Sequence, residues 1–284
     1  MVESAIPGVA DPNPVIERPG WRAGTWHTPA RMVAPTATPV EGRGAFGNSV
    51  RVWLGCVAFL VVVELYIVLV GGGLENDPRI GLFAPPSIAA FGVAGLVGIW
   101  LSHRTGFPAA WDSRISNRHR LFYPILWGTG LGVALVAHDL VFHWTGAYKQ
   151  IIGAPSFNVV APFPGPLLFY SGGAIIVEVF YRLLPIPLLL WLVSNLALRG
   201  RRREGVFWAL AVLTSLIEPA TQDLAALQRP GLEAAAATVF GIDYVLNLVQ
   251  AVMFRRYGFL AAIVVRISTY VVWHVIYGNY ICAC

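Results

Sequence analysis

Charge is what this sequence has least of, and lysine is almost missing. Of 284 residues, 12% are charged and 56% hydrophobic, whereas a soluble domain carries about 25% charged residues. With a mean hydropathy of +0.64, that scarcity excludes an ordinary soluble domain. Lys149 is the single lysine, so the net charge of +5 comes almost wholly from arginine. In so apolar a chain an arginine excess reports topology and anionic-lipid contact, not nucleic-acid binding. Cys56, Cys282 and Cys284 are too few and wrongly spaced for a disulfide framework or a zinc site. Cys56 falls in an apolar run and reads as a small core residue. The terminal Cys-Ala-Cys resembles a prenylation ending, but a multi-span protein needs no lipid anchor. There is no Walker loop, dinucleotide fingerprint or His-Glu-x-x-His helix, no internal repeat, and no apolar leader of the secretory kind.

What is present is a series of runs long enough to cross a bilayer. Residues 1–48 read as a disordered or extended tail, with prolines at 7, 12, 14, 19, 29, 35 and 39. The tail carries Trp21, Trp26 and His27, and two tryptophans are costly to leave in water, so it could lie along a partner subunit. Residues 49–284 form the helical domain, with spans expected at 52–70, 85–101, 121–142, 165–198, 206–218, 234–254 and 258–280. Gly128, Gly130 and Gly132 in the third span allow close helix contact. The run 165–198 would be about 50 Å long as one helix, and Pro185 and Pro187 are expected to break it. Arginines cluster in the tail, at 102–120, at 199–203 and at Arg255-Arg256. All fall on one side if 165–198 crosses once. The fold class is therefore an all-α polytopic membrane protein of about seven to eight transmembrane helices, N-terminus inside. The arginine bias and lack of a eukaryotic targeting signal fit a bacterial inner membrane.

An ionisable group at bilayer depth costs at least ~2.5–3.5 kcal/mol and is a functional-site hypothesis by default. The set here is Glu64, His138, Asp139, His143, Glu178, Arg182, Glu218, Asp243, Arg266 and His274. Glu178 and Arg182 stand four residues apart in Val177-Glu178-Val179-Phe180-Tyr181-Arg182, on one helix face where they can neutralise each other. At about 1.5 Å per residue from the arginine-rich ends, Glu178, Asn247, Asp243 and Arg266 reach a similar depth. One layer holding two acids, an arginine and an amide would satisfy itself, whether as structure or as a site. His138-Asp139 reads as interfacial polarity.

The Glu178-x-x-x-Arg182 helix, the helix Phe207–Pro219, and the run from Met253 through Arg255-Arg256-Tyr257-Gly258 to Asn279 resemble the CPBP family. These are the CAAX-prenyl-protease-like, bacteriocin-processing and Abi membrane proteins, and the resemblance covers about 165–279. It implies an intramembrane hydrolase bundle whose motifs run Glu-Glu-x-x-x-Arg, Phe-x-x-x-His and His-x-x-x-Asn/Asp. Here the first glutamate, the presumed base, falls on Val177. Glu218 takes the aromatic position, Gln222 the first histidine and Arg266 the second. Valine accepts no proton, and an arginine is no base at neutral pH. The chain thus reads as a divergent, non-proteolytic member serving as a scaffold or accessory subunit in a complex with other membrane proteins. The competing reading is an endopeptidase with a relocated site, with Glu178, Arg182, Glu218 and His274 as catalytic candidates and Asp243, Asn247, Arg266 and His138 as binding candidates. A further alternative is a pigment- or quinone-contacting subunit, because Ala134-x-x-x-His138 with Trp144 beyond it resembles the helix pattern that seats a chlorin ring. Paired intramembrane charges also mark ion pathways, although no inverted repeat accompanies them. No resident metal is expected, and the sequence fixes no cofactor.

Overall fold

The computed structural model describes residues 39–71, 74, 77–152 and 161–282, and Trp21, Trp26 and His27 lie outside them. Every regular element among the described residues is helical, and the chain is an all-α polytopic membrane protein. Apart from a short 3-10 helix at Pro78–Phe83, these are in order α1 (Pro39–Val70), α2 (Pro85–Arg104), α3 (Arg118–Phe142), α4 (Trp144–Ile152), α5 (Gly165–Ala197), α6 (Arg203–Ser215), α7 (Ile217–Leu227), α8 (Glu233–Tyr257) and α9 (Phe259–Ile281). α1 starts at Pro39, so 39–48 is helical rather than tail. Proline fits a first helical turn, where its missing N–H leaves nothing unmade. Outward faces are apolar, as a lipid solvent requires; Leu69 is 78% exposed and Val141 70%.

One end of the bundle collects the arginines. Arg255 at the end of α8 donates to the Gly106 carbonyl (3.0 Å) and pairs with Glu204 at the start of α6. The start of α3 joins them through the His119 and Tyr257 rings, 5.3 Å apart, and α1 through Ser49, whose hydroxyl accepts from Ala110 N at 3.0 Å. At the opposite end the Ala161 N–H donates to Asn279 Oδ1 (2.9 Å), and the Tyr148 hydroxyl to the Gln222 carbonyl (3.4 Å).

Among the described residues, six helices are long and apolar enough to cross a membrane singly. The crossing expected at 206–218 differs. α6 has 13 residues, about 20 Å against a hydrocarbon core of about 30 Å. It stops at Ser215, and α7 continues from Ile217. α6 begins beside Glu204 at the arginine end, and α7 reaches Gln222 at the other, so the pair traverses the bundle as one broken helix. α5 also differs from expectation, because its prolines do not break it. Its turn at Val179–Leu183 widens to i→i+5 bonding, with Leu184 N on the Val179 carbonyl at 3.2 Å. Such local rewinding offers new donors to backbone carbonyls that Pro185 and Pro187, lacking an N–H, cannot satisfy. The second half of α9, Val271–Ile281, is wound the same way.

α9 lies centrally, packed on α3, α5 and α8. Glycine lets it close on α3: a Cβ at Gly128 would stand 2.2 Å from the Val265 carbonyl oxygen, and one at Gly132 2.7 Å from Val272 Cβ. Gly130 meets nothing within 4 Å, so two of the three expected glycines make the contact. The α8–α9 turn needs Gly258, whose φ is +87° and whose Cβ would lie 2.8 Å from the Ala109 carbonyl oxygen. Cys56 is half-buried and free; Cys282 is disulfide-bonded, and Cys284 lies outside the described residues.

Candidate functional site: a buried charge lattice

Four helices deliver six polar side chains to one place. α5 supplies Glu178 and Arg182, α7 supplies Glu218, α8 supplies Asn247 and Gln250, and α9 supplies Arg266. All six are buried, Glu178, Asn247 and Gln250 at 0% exposure. The i,i+4 spacing on α5 produces the expected ion pair, with Arg182 Nη1 on Glu178 Oε2 at 2.9 Å. Arg182 Nη2 also donates to Asn247 Oδ1. Arg266 Nη2 approaches that same amide oxygen at 3.4 Å and grips Glu218, with Nη1 on Oε1 at 2.7 Å and Nη2 on Oε2. Gln250 Nε2 bridges Glu178 Oε2 (3.1 Å) and the Ala262 carbonyl (3.2 Å).

The result is a chain of contacts from Glu178 through Arg182, Asn247 and Arg266 to Glu218. Its formal charges cancel, which is the condition under which ions survive in a low-dielectric interior. Asn247 is the hinge of the lattice. Its one oxygen faces two guanidinium groups, while its Nδ2 donates to the Asp243 carbonyl at 2.7 Å. Both Glu218 oxygens are held by Arg266. On Glu178 only Oε2 is held, and buried Oε1 has no hydrogen-bond partner among the described residues; Gln250 Oε1 and Arg266 Nε are in the same position.

The other candidates fall elsewhere. The Asp243 side chain makes no hydrogen bond in the lattice; Asp243 stands one turn, about 6 Å along α8, from Asn247 and meets it through its backbone carbonyl. Glu218, which was not among the residues matched for depth, is the acid that pairs with Arg266. His274 is also outside, its ring stacked on Tyr170 (4.2 Å, 3°) and edge-on to Tyr270 (4.9 Å). It sits eight residues, about 12 Å, beyond Arg266 on α9. His138 contacts the Ala235 carbonyl through Nε2 at 2.9 Å, with the Trp144 ring 5.8 Å away. Its neighbour Asp139 ties three elements: Oδ1 accepts from Thr145 N at 2.6 Å, and Oδ2 from the Tyr277 hydroxyl at 2.6 Å. Gln222 donates weakly to Glu218 Oε1 at 3.4 Å. Val177 is half-buried beside the lattice residues. No group of three or more His, Cys, Asp or Glu that could hold a metal ion occurs among the described residues.

Among the buried polar residues that were not anticipated, two bear on the site. Gln250 continues the polar stripe Asp243, Asn247, Gln250 at helical spacing, a signal present in the sequence. Asp223 is 3% exposed, and its Oδ2 has no hydrogen-bond partner among the described residues; no sequence pattern marks it. No protein-family model matches this chain, and neither does any curated protein or solved structure.

Proposed function

We propose that this chain is a CPBP-like membrane protein that works without proteolysis, as a scaffold or accessory subunit of a membrane assembly. The observation that carries this reading is the closure of the charges: Glu218 is held at both oxygens by Arg266, the residue standing where the family resemblance expects a histidine. A carboxylate clamped by an arginine is a poor proton acceptor. The same contacts join α5, α7, α8 and α9, which is what a rigid scaffold needs. In this reading the arginine-rich end faces the cytoplasm, as the positive-inside rule favours, with the N-terminus on the same side of a bacterial inner membrane.

The test is affinity purification of the full chain in mild detergent, with mass spectrometry and an absorption spectrum of the eluate. Stoichiometric recovery of other membrane proteins is expected, and a visible or near-infrared band would add pigment contact through His138. A lone, stable monomer would oppose the subunit reading.

One observation favours a second reading, the relocated endopeptidase. Glu178 Oε1 is a buried carboxylate oxygen with no hydrogen-bond partner among the described residues, and an unengaged carboxylate oxygen can accept a proton from a water admitted beside it. Under that reading Glu178→Gln abolishes cleavage of a membrane substrate while the protein stays folded; unchanged cleavage would end it.

A further inference from the structure

Glu64 is the one intramembrane acid of α1, and the lattice does not use it. It lies thirteen residues from Arg51 and six from Val70, so about 9 Å inside the end of the span opposite the arginines. It is half-buried and makes no hydrogen bond or ion pair with any described residue. It lines an otherwise apolar groove of about 480 Å³ between α1 and α2, with Trp53, Val61, Ile88, Gly92 and Leu96. Gly92 lets a neighbouring backbone approach closely.

Resting on the accessory-subunit reading, we infer that this groove docks a transmembrane helix of a partner protein, and that the helix carries an arginine or lysine at the depth of Glu64. Charge complementarity selects that occupant. A carboxylate facing hydrocarbon is unstable until it meets a cation or a donor, and the groove offers neither. A second copy of this chain offers no unpaired cation at that depth: Lys149 and Arg229 lie outside its spans, in α4 and in the α7–α8 connection. Arg182 and Arg266, its deep arginines, are buried and paired in the lattice. Arg51, Arg104 and Arg118 sit at the far end of their helices. Arg79, at the near end, is held by both oxygens of Asp77. Two copies packed on α1 would instead bring two Glu64 carboxylates together.

The experiment places a photo-crosslinking residue at Leu65, in the groove, and separately at Val133 on α3, which does not pack on α1 or α2. Each full-length protein is irradiated in native membranes and the adduct is mapped. The expected result is an adduct from Leu65 to a membrane-spanning peptide that contains Arg or Lys. Glu64→Leu should lower its yield about tenfold, the effect of one interhelical polar contact. Glu64→Arg should abolish it, and replacing the partner's basic residue with Glu should restore it. Glu64→Leu should melt with wild type in detergent, since Glu64 holds nothing inside the chain; a large drop would overturn the inference. A protein adduct from Val133 alone would overturn it and leave the subunit reading standing. An adduct to a second copy, or to a helix without a basic residue, would overturn it as well. No protein adduct from either position would overturn both.

Discussion

Replacing Glu218 with glutamine removes the charge that both of its oxygens hold against Arg266, and leaves a buried guanidinium without a counter-ion. The lattice then carries one net positive charge, with Arg182 facing Arg266 across the single oxygen of Asn247. Breaking one partner of a buried pair costs about 3–5 kcal/mol, or roughly two to four powers of ten in the unfolding equilibrium. Removing both partners has a different outcome. In Glu218→Leu/Arg266→Met the desolvation of both ions vanishes, and apolar replacement of a buried pair is often neutral or stabilising by about 1–4 kcal/mol. The double variant should therefore recover most of the stability lost by the single one. The assay is reversible unfolding in detergent micelles, followed by helix content, on wild type, Glu218→Gln, the singles Glu218→Leu and Arg266→Met, and the double. Glu204→Gln is the control, because its pair with Arg255 is 65% exposed on the glutamate side and should matter by no more than about 1 kcal/mol. If Glu218→Gln behaved like Glu204→Gln, or if the double variant were as unstable as either single, the lattice would not be the element that joins α7 to α9.

Three other outcomes are expected. Gly128→Ala drives a methyl group into the Val265 carbonyl and should destabilise by about 1–3 kcal/mol, whereas Gly130→Ala should leave the melting temperature unchanged; equal effects would refute the close α3–α9 approach. Asp139→Asn replaces an acceptor with an amide group beside Thr145 N and the Tyr277 hydroxyl, and should lower stability by about 1–3 kcal/mol, with proteolysis of α4 as the local readout. Asp77, in the connection between α1 and α2, experiences burial that alone would raise its pKa, but hydrogen bonds from the Arg79 side chain and backbone hold the carboxyl below its ordinary value. Its contribution is thus present above the unfolded value of about 3.9 and is lost as pH falls through the lower folded value. Asp77→Asn should give a small loss, under about 1 kcal/mol, constant from pH 5 to 8 and vanishing in acid; a difference that grew in acid would reverse the sign of the argument.

The depth of a residue in a membrane helix can be read from sequence, because each residue adds a fixed rise from a charged helix end. That is why Glu178, Asn247 and Arg266 could be placed in one layer in advance, and why the single passage of 165–197 followed from the arginines. Rotation about the helix axis, and the order of helices around the bundle, cannot be read in the same way. Asp243 shares the stripe of Asn247 but lies one turn away along α8, and Glu218 took the partnership with Arg266 because α7 turns at Leu216 and aims it inward. The prolines of α5 misled for a related reason. Their local rule forbids a regular α-helical turn but not a widened one, and the widened turn is where Arg182 sits. Asp223 stayed hidden because neither spacing nor composition distinguishes it from an interfacial acid.

The most direct test of the central claim is the native mass, in mild detergent, of the variant Glu178→Leu/Arg182→Met/Glu218→Leu/Arg266→Met beside wild type. If the lattice is architecture in an accessory subunit, both proteins should fold and be recovered with the same membrane partners in the same stoichiometry. A variant that folds and yet loses those partners, or a wild-type chain that runs alone, would contradict the account.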